Sequence, residues 1–186
     1  MIGFALTGSF CTIEKSINVL SDLVERGHDI IPIMSDSVYK TSTRFATCSD
    51  TIKRVEGLCG HKVICSIVEA EPLGPKTKLD ALIICPCTGN TLAKLANGIT
   101  DTPVCMSAKA HLRNDRPLVI TLATNDALSA NLKNIATLLS RKNVYFTPMV
   151  QDDPKEKPHS LVADFNLVLP TLYNALSGKQ YQKIFI

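Results

Sequence analysis

The sequence predicts an α/β protein, a doubly wound and mostly parallel sheet in three αβα layers, running as one domain over residues 1–186. Three observations predict it. Short apolar runs alternate with stretches whose apolar residues recur every three or four positions, the mark of strands interleaved with amphipathic helices. The runs are apolar throughout, as strands buried on both faces of a parallel sheet are. Strand ends carry the same small polar punctuation, at Thr7-Gly8-Ser9, Ser35-Asp36-Ser37, Cys87 to Thr91 and Thr124-Asn125, where a strand gives way to a helix N-terminus.

In chain order, Ile2 to Leu6 is the first strand, and Ile13, Ile17, Leu20 and Val24 define one face of a helix ending at Gly27. Ser9 is the expected N-cap of that helix, and Gly8 permits close backbone approach. Asp29 to Met34 is a second strand, Val38 to Val55 a helix, and Lys62 to Ser66 a short third strand. Glu69 to Lys78, with Pro72, Gly74 and Pro75, is a loop. Ala81 to Cys85 forms a strand closed by Pro86, followed by a helix with Leu92, Leu95, Ala96 and Ile99 on one face. Asp101-Thr102-Pro103 ends that helix, and Val104 to Arg113 forms another. Leu118 to Leu122 is a strand, Ala127 to Leu139 a helix, and Asn143 to Phe146 a last strand. Gln151 to Pro158 reads as an exposed lid or partner contact. Leu161 to Leu176 is a final helix, kinked or restarted at Pro170. The total is about five parallel strands.

Composition narrows the function. Apolar residues make up 45%, charged residues 20%, and the net charge of +3 comes without a basic run, which argues against nucleic acid. Aromatic residues are 5% of the chain, too few to favour base stacking. No apolar run approaches the roughly 18 to 20 residues that span a bilayer, and the N-terminus lacks the basic region of a signal peptide. The 7 cysteines, an odd number in mostly apolar settings, fit reduced thiols in a cytosol. Cys85 and Cys87 have no partner pair to complete a metal spacing.

The stretch from Leu79 to Asp101 is the first place to look for a bound anion. Its turn from Cys87 to Thr91 is built of short residues, Thr88 or Asn90 can cap the helix, and Gly89 lets the backbone approach a ligand. Ligands of open α/β sheets sit outside the carboxyl ends of the strands. Gly3 and Gly8 do not make the three-glycine dinucleotide fingerprint, so a mononucleotide or bare phosphate is expected.

Thr7-Gly8-Ser9, Ser35, PCTGNTLAKLANGITD from Pro86 to Asp101, RPLVI from Arg116 and TNDALSANLKNI from Thr124 together resemble a flavoprotein family that includes homo-oligomeric cysteine decarboxylases and flavin prenyltransferases. The resemblance covers most of the chain. It implies a Rossmann-like flavoprotein fold and FMN, or a bare phosphate in the same pocket. Gly8 and Ser9 would then meet the phosphate or ribityl region, with Ser35 and Ser37 on the flavin or ribityl side. Thr88, Asn90 and Thr91 would supply contacts, Gly89 would allow approach, and Thr124 and Asn125 would close the other edge. Two departures stand out. The decarboxylases' catalytic His is missing near Glu71-Pro72-Leu73, and the prenyltransferases' Arg is missing at the segment aligned with Thr124.

Within the family, AKAHLRNDRPLVI and PMVQDDPKEKPHS resemble a branch whose members form the second of a synthase's two subunits. That resemblance implies oxidation of a dihydropyridine dicarboxylate together with an NADP-binding first subunit, in the mother-cell cytoplasm of a sporulating bacterium, with likeness to homo-oligomers. The alternatives are a stand-alone flavin decarboxylase or oxidoreductase, and a non-catalytic flavin- or phosphate-binding scaffold. His28, His61, His111 and His159 are expected at the surface, with His159 and Asp152 or Asp153 placed to swing over the pocket. Lys155 and Lys157 read first as a solvated charge run, with attraction of a dicarboxylate as the alternative.

Overall fold

The computed structural model describes residues 1–186. Its sheet follows the order β2 (Ile30–Met34), β1 (Ile2–Leu6), β3 (Ala81–Cys87) and β4 (Leu118–Thr124), all parallel. The outer edge of β4 is shared. β5 (Val144–Phe146) pairs parallel with its first half, and β7 (Leu161–Ala163) pairs antiparallel with Ala123 and Thr124. β6 (Met149–Val150) completes a hairpin with β7.

Successive strand residues alternate between two cores. Phe4, Leu6, Ile83 and Cys85 face one side. There they meet α1 (Ile13–Glu25), α3 (Cys48–Cys59) and α8 (Val168–Leu176). Ala5, Leu82, Ile84 and Ile120 face the other, under α5 (Gly89–Ala96), α6 (Pro103–Leu112) and α7 (Leu132–Leu139). Each fully buried side chain of this size, Leu20 or Phe4 for example, contributes about 1.5–3 kcal/mol. Cys85 and Cys87 belong to opposite cores, so they cannot converge on one ion.

The chain leaves β1 for β2 on one side and returns to β3 on the other side of β1. The strand order therefore reverses between β1 and β3, and their carboxyl ends flank the crevice where open α/β sheets bind ligands.

Several expected elements differ. The helix expected over Val38 to Val55 is two helices, α2 (Asp36–Lys40) and α3. Thr41 is already extended, and Thr47 caps α3 by accepting a hydrogen bond from the Asp50 N–H at 3.1 Å. The Thr-rich segment between them, with Thr41, Thr43 and Thr47, favours this capped restart over a continuous helix. The strand expected at Lys62 to Ser66 is a single bridge between Ile64 and Ile33, and α4 (Ile67–Ala70) follows, opened by a Ser66/Glu69 capping box.

Pro86 does not end its strand. β3 continues to Cys87 across a register shift, the Ile84 to Cys87 step of β3 opposing the shorter Ile120 to Leu122 step of β4, and a bulge is where a strand tolerates proline. α5 stops at Ala96, leaving Ile99 exposed beyond it. The helix expected from Ala127 begins only at Leu132, because the Asp126 carbonyl takes the Ser129 and Asn131 N–H groups into turns.

The helix expected from Leu161 is in its first three residues β7, which with β6 raises the strands from five to seven. α8 then starts at Val168 and holds Pro170 in its first turn, where no helical N–H is lost. His111, expected at the surface, is buried with Nε2 2.9 Å from the Pro117 carbonyl. Burial lowers its pKa. No helix is long and apolar enough to cross a membrane.

Candidate anion-binding site

The carboxyl ends of β1, β3 and β4 open on one cavity of about 480 Å³. The tip of β1 contributes Gly8 and Ser9, and a short 3-10 turn (Phe10–Thr12) with Lys15 of α1 extends that wall. Thr88 stands for the tip of β3, and Thr124 and Asn125 for the tip of β4. The β6–β7 hairpin closes the remaining side with Asp152, Lys157 and Val162. The three tips thus converge, as small polar turns at a strand-order reversal should.

The β1 tip is open to a ligand. The Gly8 N–H donates to no carbonyl of the chain, and neither does that of Asn125. Ser9, expected to cap α1, makes no capping bond: its backbone carbonyl, not its hydroxyl, receives the Thr12 N–H at 3.0 Å. The reason is the inserted 3-10 turn, which moves the start of α1 to Ile13 and leaves the Ser9 hydroxyl free over the cavity. A Cβ on Gly8 would lie 2.8 Å from the Ser37 hydroxyl and would displace it. Lys15 has no carboxylate partner and rests 5.9 Å over the Phe165 ring. Free N–H groups, a hydroxyl and an ammonium form a donor set suited to a phosphate.

The β3 tip is tied inward. Thr7, buried at the end of β1, donates to the Pro86 carbonyl at 2.8 Å and accepts from the Thr88 N–H at 2.9 Å. Thr88 caps α5, its hydroxyl accepting the Thr91 N–H at 3.3 Å and donating to the Thr91 hydroxyl at 3.1 Å. Gly89 is buried against a polar cluster in which Thr124 donates to Asp126 at 2.6 Å and Asn131 donates to it at 2.9 Å. A Cβ at Gly89 would fall 2.6 Å from Thr124 Oγ1 and from Asn131 Nδ2. The hydrogen bond from Thr124, more than its slight burial opposes, holds the Asp126 carboxyl below its ordinary value. This carboxylate lies beside the first residue of α5 and complements the positive end of the helix, so a ligand anion is better served at the β1 tip.

Of the residues singled out from the sequence, Gly8, Ser9, Thr88, Thr124 and Asn125 line the cavity together. Ser35 and Ser37, hydrogen-bonded to each other at 2.9 Å, stand behind Gly8. Gly89 and Thr91 lie beneath the β3 tip, and the Asn90 side chain is exposed with no partner. Asp152 and Lys157 line the wall as the loop reading anticipated, while His159 lies outside it. Lys15 and the 3-10 turn were missed. Their signal was present: Lys15 is the first cation after the Gly-Ser turn and one helical turn into α1.

A smaller cavity of about 260 Å³ adjoins through Phe10 and Cys11, between α1, α2 and α3. Ile13, Ile17, Val38 and Phe45 make it largely apolar, and Arg54 closes it with a two-armed contact to Glu14 at 2.7 and 2.8 Å.

Known proteins share this chain's sequence pattern and fold. A family model described as Flavoprotein matches residues 1–168. The B subunit of dipicolinate synthase from Bacillus subtilis is 47% identical over 185 residues, all of this chain and 92% of that protein. The crystal structure of the corresponding B subunit from Bacillus halodurans superposes with a TM-score of 0.92 at 44% identity, over all of this chain and 95% of that one. The FMN-dependent cysteine decarboxylase SpaF, 21% identical with a TM-score of 0.68 over 95% of this chain and 94% of its own, shares the fold. The chain belongs to the flavoprotein family.

Proposed function

We propose that this chain is the flavin-holding B subunit of a dipicolinate synthase, working with an NADP-binding A subunit to oxidise a dihydropyridine dicarboxylate to pyridine-2,6-dicarboxylate. The full-length likeness to the B subunits of two Bacillus synthases supports the reaction class. The observation that carries the cofactor reading is the gathering of open donors from the β1 tip, with Lys15, on one cavity.

FMN fits the donor set. The Gly8 N–H, the Ser9 hydroxyl and the Lys15 ammonium would hold its phosphate, and about 480 Å³ lies within the range of small-molecule sites. Thr88, Thr124 and Asn125 would border the ribityl chain, and Ser35 and Ser37 would keep the Gly8 backbone in place. A bound flavin supplies an electron acceptor. Thr124, its proton given to Asp126, presents lone pairs to a ligand donor. The β6–β7 loop screens the cavity from water on one side.

This chain lacks the decarboxylases' His near Glu71 and the prenyltransferases' Arg at Thr124, which disfavours cysteine decarboxylation and prenyl transfer. On this reading the chain works in the cytosol of a sporulating cell, and assembly into a homo-oligomer is proposed by likeness to the dodecameric FMN-dependent decarboxylase of Escherichia coli.

The test is direct. The purified chain is expected to show flavin absorbance, and mixed with the NADP-binding partner, NADP and the dihydropyridine substrate it is expected to yield dipicolinate, detected chromatographically. No product from the mixed subunits refutes the reaction. A colourless chain that accepts no added FMN refutes the cofactor.

A further inference from the structure

The loop between β6 and β7 is anchored at both ends by the hairpin ladder, with Val150 opposite Val162. Inside it, the Lys157 ammonium pairs with the Asp152 carboxylate at 3.1 Å, and both line the candidate site opposite Lys15. Their side chains are 48% and 31% exposed, and a pair so open to water is weak. Next to it is an unusual group. The Ser160 hydroxyl is fully buried and has no hydrogen-bond partner.

Burial raises the Asp152 carboxyl, but the neighbouring Ser160 hydroxyl and Lys157 ammonium outweigh it and hold the group below its ordinary value. Ser160 is tied to the pair through its backbone N–H, which donates to the Lys157 carbonyl at 3.0 Å, while its hydroxyl makes no bond to the carboxylate, so Lys157 is the contact that holds Asp152. The charges facing the cavity are then Lys15 and Lys157 against Asp152. A phosphate at the β1 tip engages Lys15. A further carboxylate then has one cation available, and Asp152 occupies it.

We propose that Lys157 is the carboxylate-binding residue for a dicarboxylate substrate, with Asp152 as its stand-in partner when the site is empty and Ser160 as the donor that receives Asp152 when the substrate displaces it. This rests on the function proposed above for the identity of the substrate as a dicarboxylate. The exchange keeps Lys157 paired and leaves Asp152 with a hydroxyl donor in place of its cation. It also gives the buried orphan hydroxyl an acceptor, which a buried polar group requires.

The experiment titrates pyridine-2,6-dicarboxylate into the FMN-loaded chain by calorimetry, with Lys157→Gln, Asp152→Asn and Ser160→Ala compared. Thermal melts check the fold of each variant. Lys157→Gln is expected to weaken binding about tenfold or more, the scale of a lost charge-assisted hydrogen bond. Asp152→Asn is expected to tighten it several-fold, because the competitor for Lys157 is neutralised, and Ser160→Ala to weaken it several-fold.

An ion pair that merely fastens the loop moves the first two variants in the same direction, and that result overturns the proposal. So does an unaltered chain that binds no dicarboxylate. If the chain holds no FMN, the cofactor reading fails on its own, and the titration is repeated over inorganic phosphate, where the same opposite signs are required.

Discussion

The tips of β1 and β3 are built from nearly the same vocabulary of Thr, Gly and a small polar residue, yet they differ in what remains for a ligand. At the β3 tip Thr88 closes on Thr91, and Gly89 is pressed against the Thr124–Asp126–Asn131 cluster. At the β1 tip the Gly8 N–H and the Ser9 hydroxyl have no partner in the chain. The difference is one of accounting for polar groups. Side-chain donors already used within the chain, as at Thr88, hold the fold together, and those left over mark where binding is to be sought; at the β3 tip the Gly89 and Asn90 N–H groups of the first turn of α5 are left over. Thr7, at the end of β1, joins the two, since its one hydroxyl donates to the Pro86 carbonyl and accepts from the Thr88 N–H at the end of β3.

Substitutions can break or sharpen this contrast. The largest effect is expected at the junction. Thr7→Val removes the partner of the Pro86 carbonyl and of the Thr88 N–H together, and at about 1–3 kcal/mol for a buried group left unpaired it should lower stability by roughly 2–4 kcal/mol, read from denaturant midpoints. Gly89→Ala comes next. Its Cβ would press on Thr124 and Asn131, and overpacking of about 1–3 kcal/mol should appear as a lower melting temperature. A Gly89→Ala protein as stable as the original would show that the cluster yields and that the β3 tip is no tighter than its neighbour.

Ser9→Ala should leave the melting temperature unchanged and weaken FMN or phosphate binding by about 0.5–1.5 kcal/mol, the value of one hydrogen bond. Asn90→Ala should change either by less than about 0.5 kcal/mol, as a surface substitution does. If Asn90→Ala weakened the ligand more than Ser9→Ala, the two tips would have been assigned the wrong way round.

The smallest signal is in pH. The folded Asp126 carboxyl is held below its ordinary value by Thr124, so its contribution to stability is present above the unfolded pKa and is lost as pH falls through the folded one. The window lies below about pH 4. Asp126→Asn should flatten the stability profile there and lower the plateau near neutrality, where the carboxylate's contribution is fully present.

Much of this was legible in the sequence. The strands at Ile2, Asp29, Ala81 and Leu118 announced themselves because parallel strands buried on both faces are apolar at every position, and β1, β2, β3 and β4 stand within a residue or two of where those runs lie. The convergence of the β1, β3 and β4 tips followed from the strand-then-polar-turn repeat. What stayed hidden depends on contacts distant in the chain. β6 and β7 are too short for a periodicity, and Leu161 to Ala163 continues into a helical pattern, so only pairing with Ala123 and Thr124 makes it a strand. Nor could spacing show that Asp126 reaches Gly89, or that the Ser9 hydroxyl is released when a 3-10 turn shifts the start of α1.

The antiparallel ribbon of β6 and β7 has a consequence for the life of the protein. Parallel sheets offer raw edges to other chains, and here the segment that covers the rim at Ala123 and Thr124 is the one that also carries Asp152 and Lys157 to the pocket. Guarding the molecule against edgewise aggregation and walling the pocket are therefore one task of one piece of chain, and whatever unzips the β7 ladder also opens that wall.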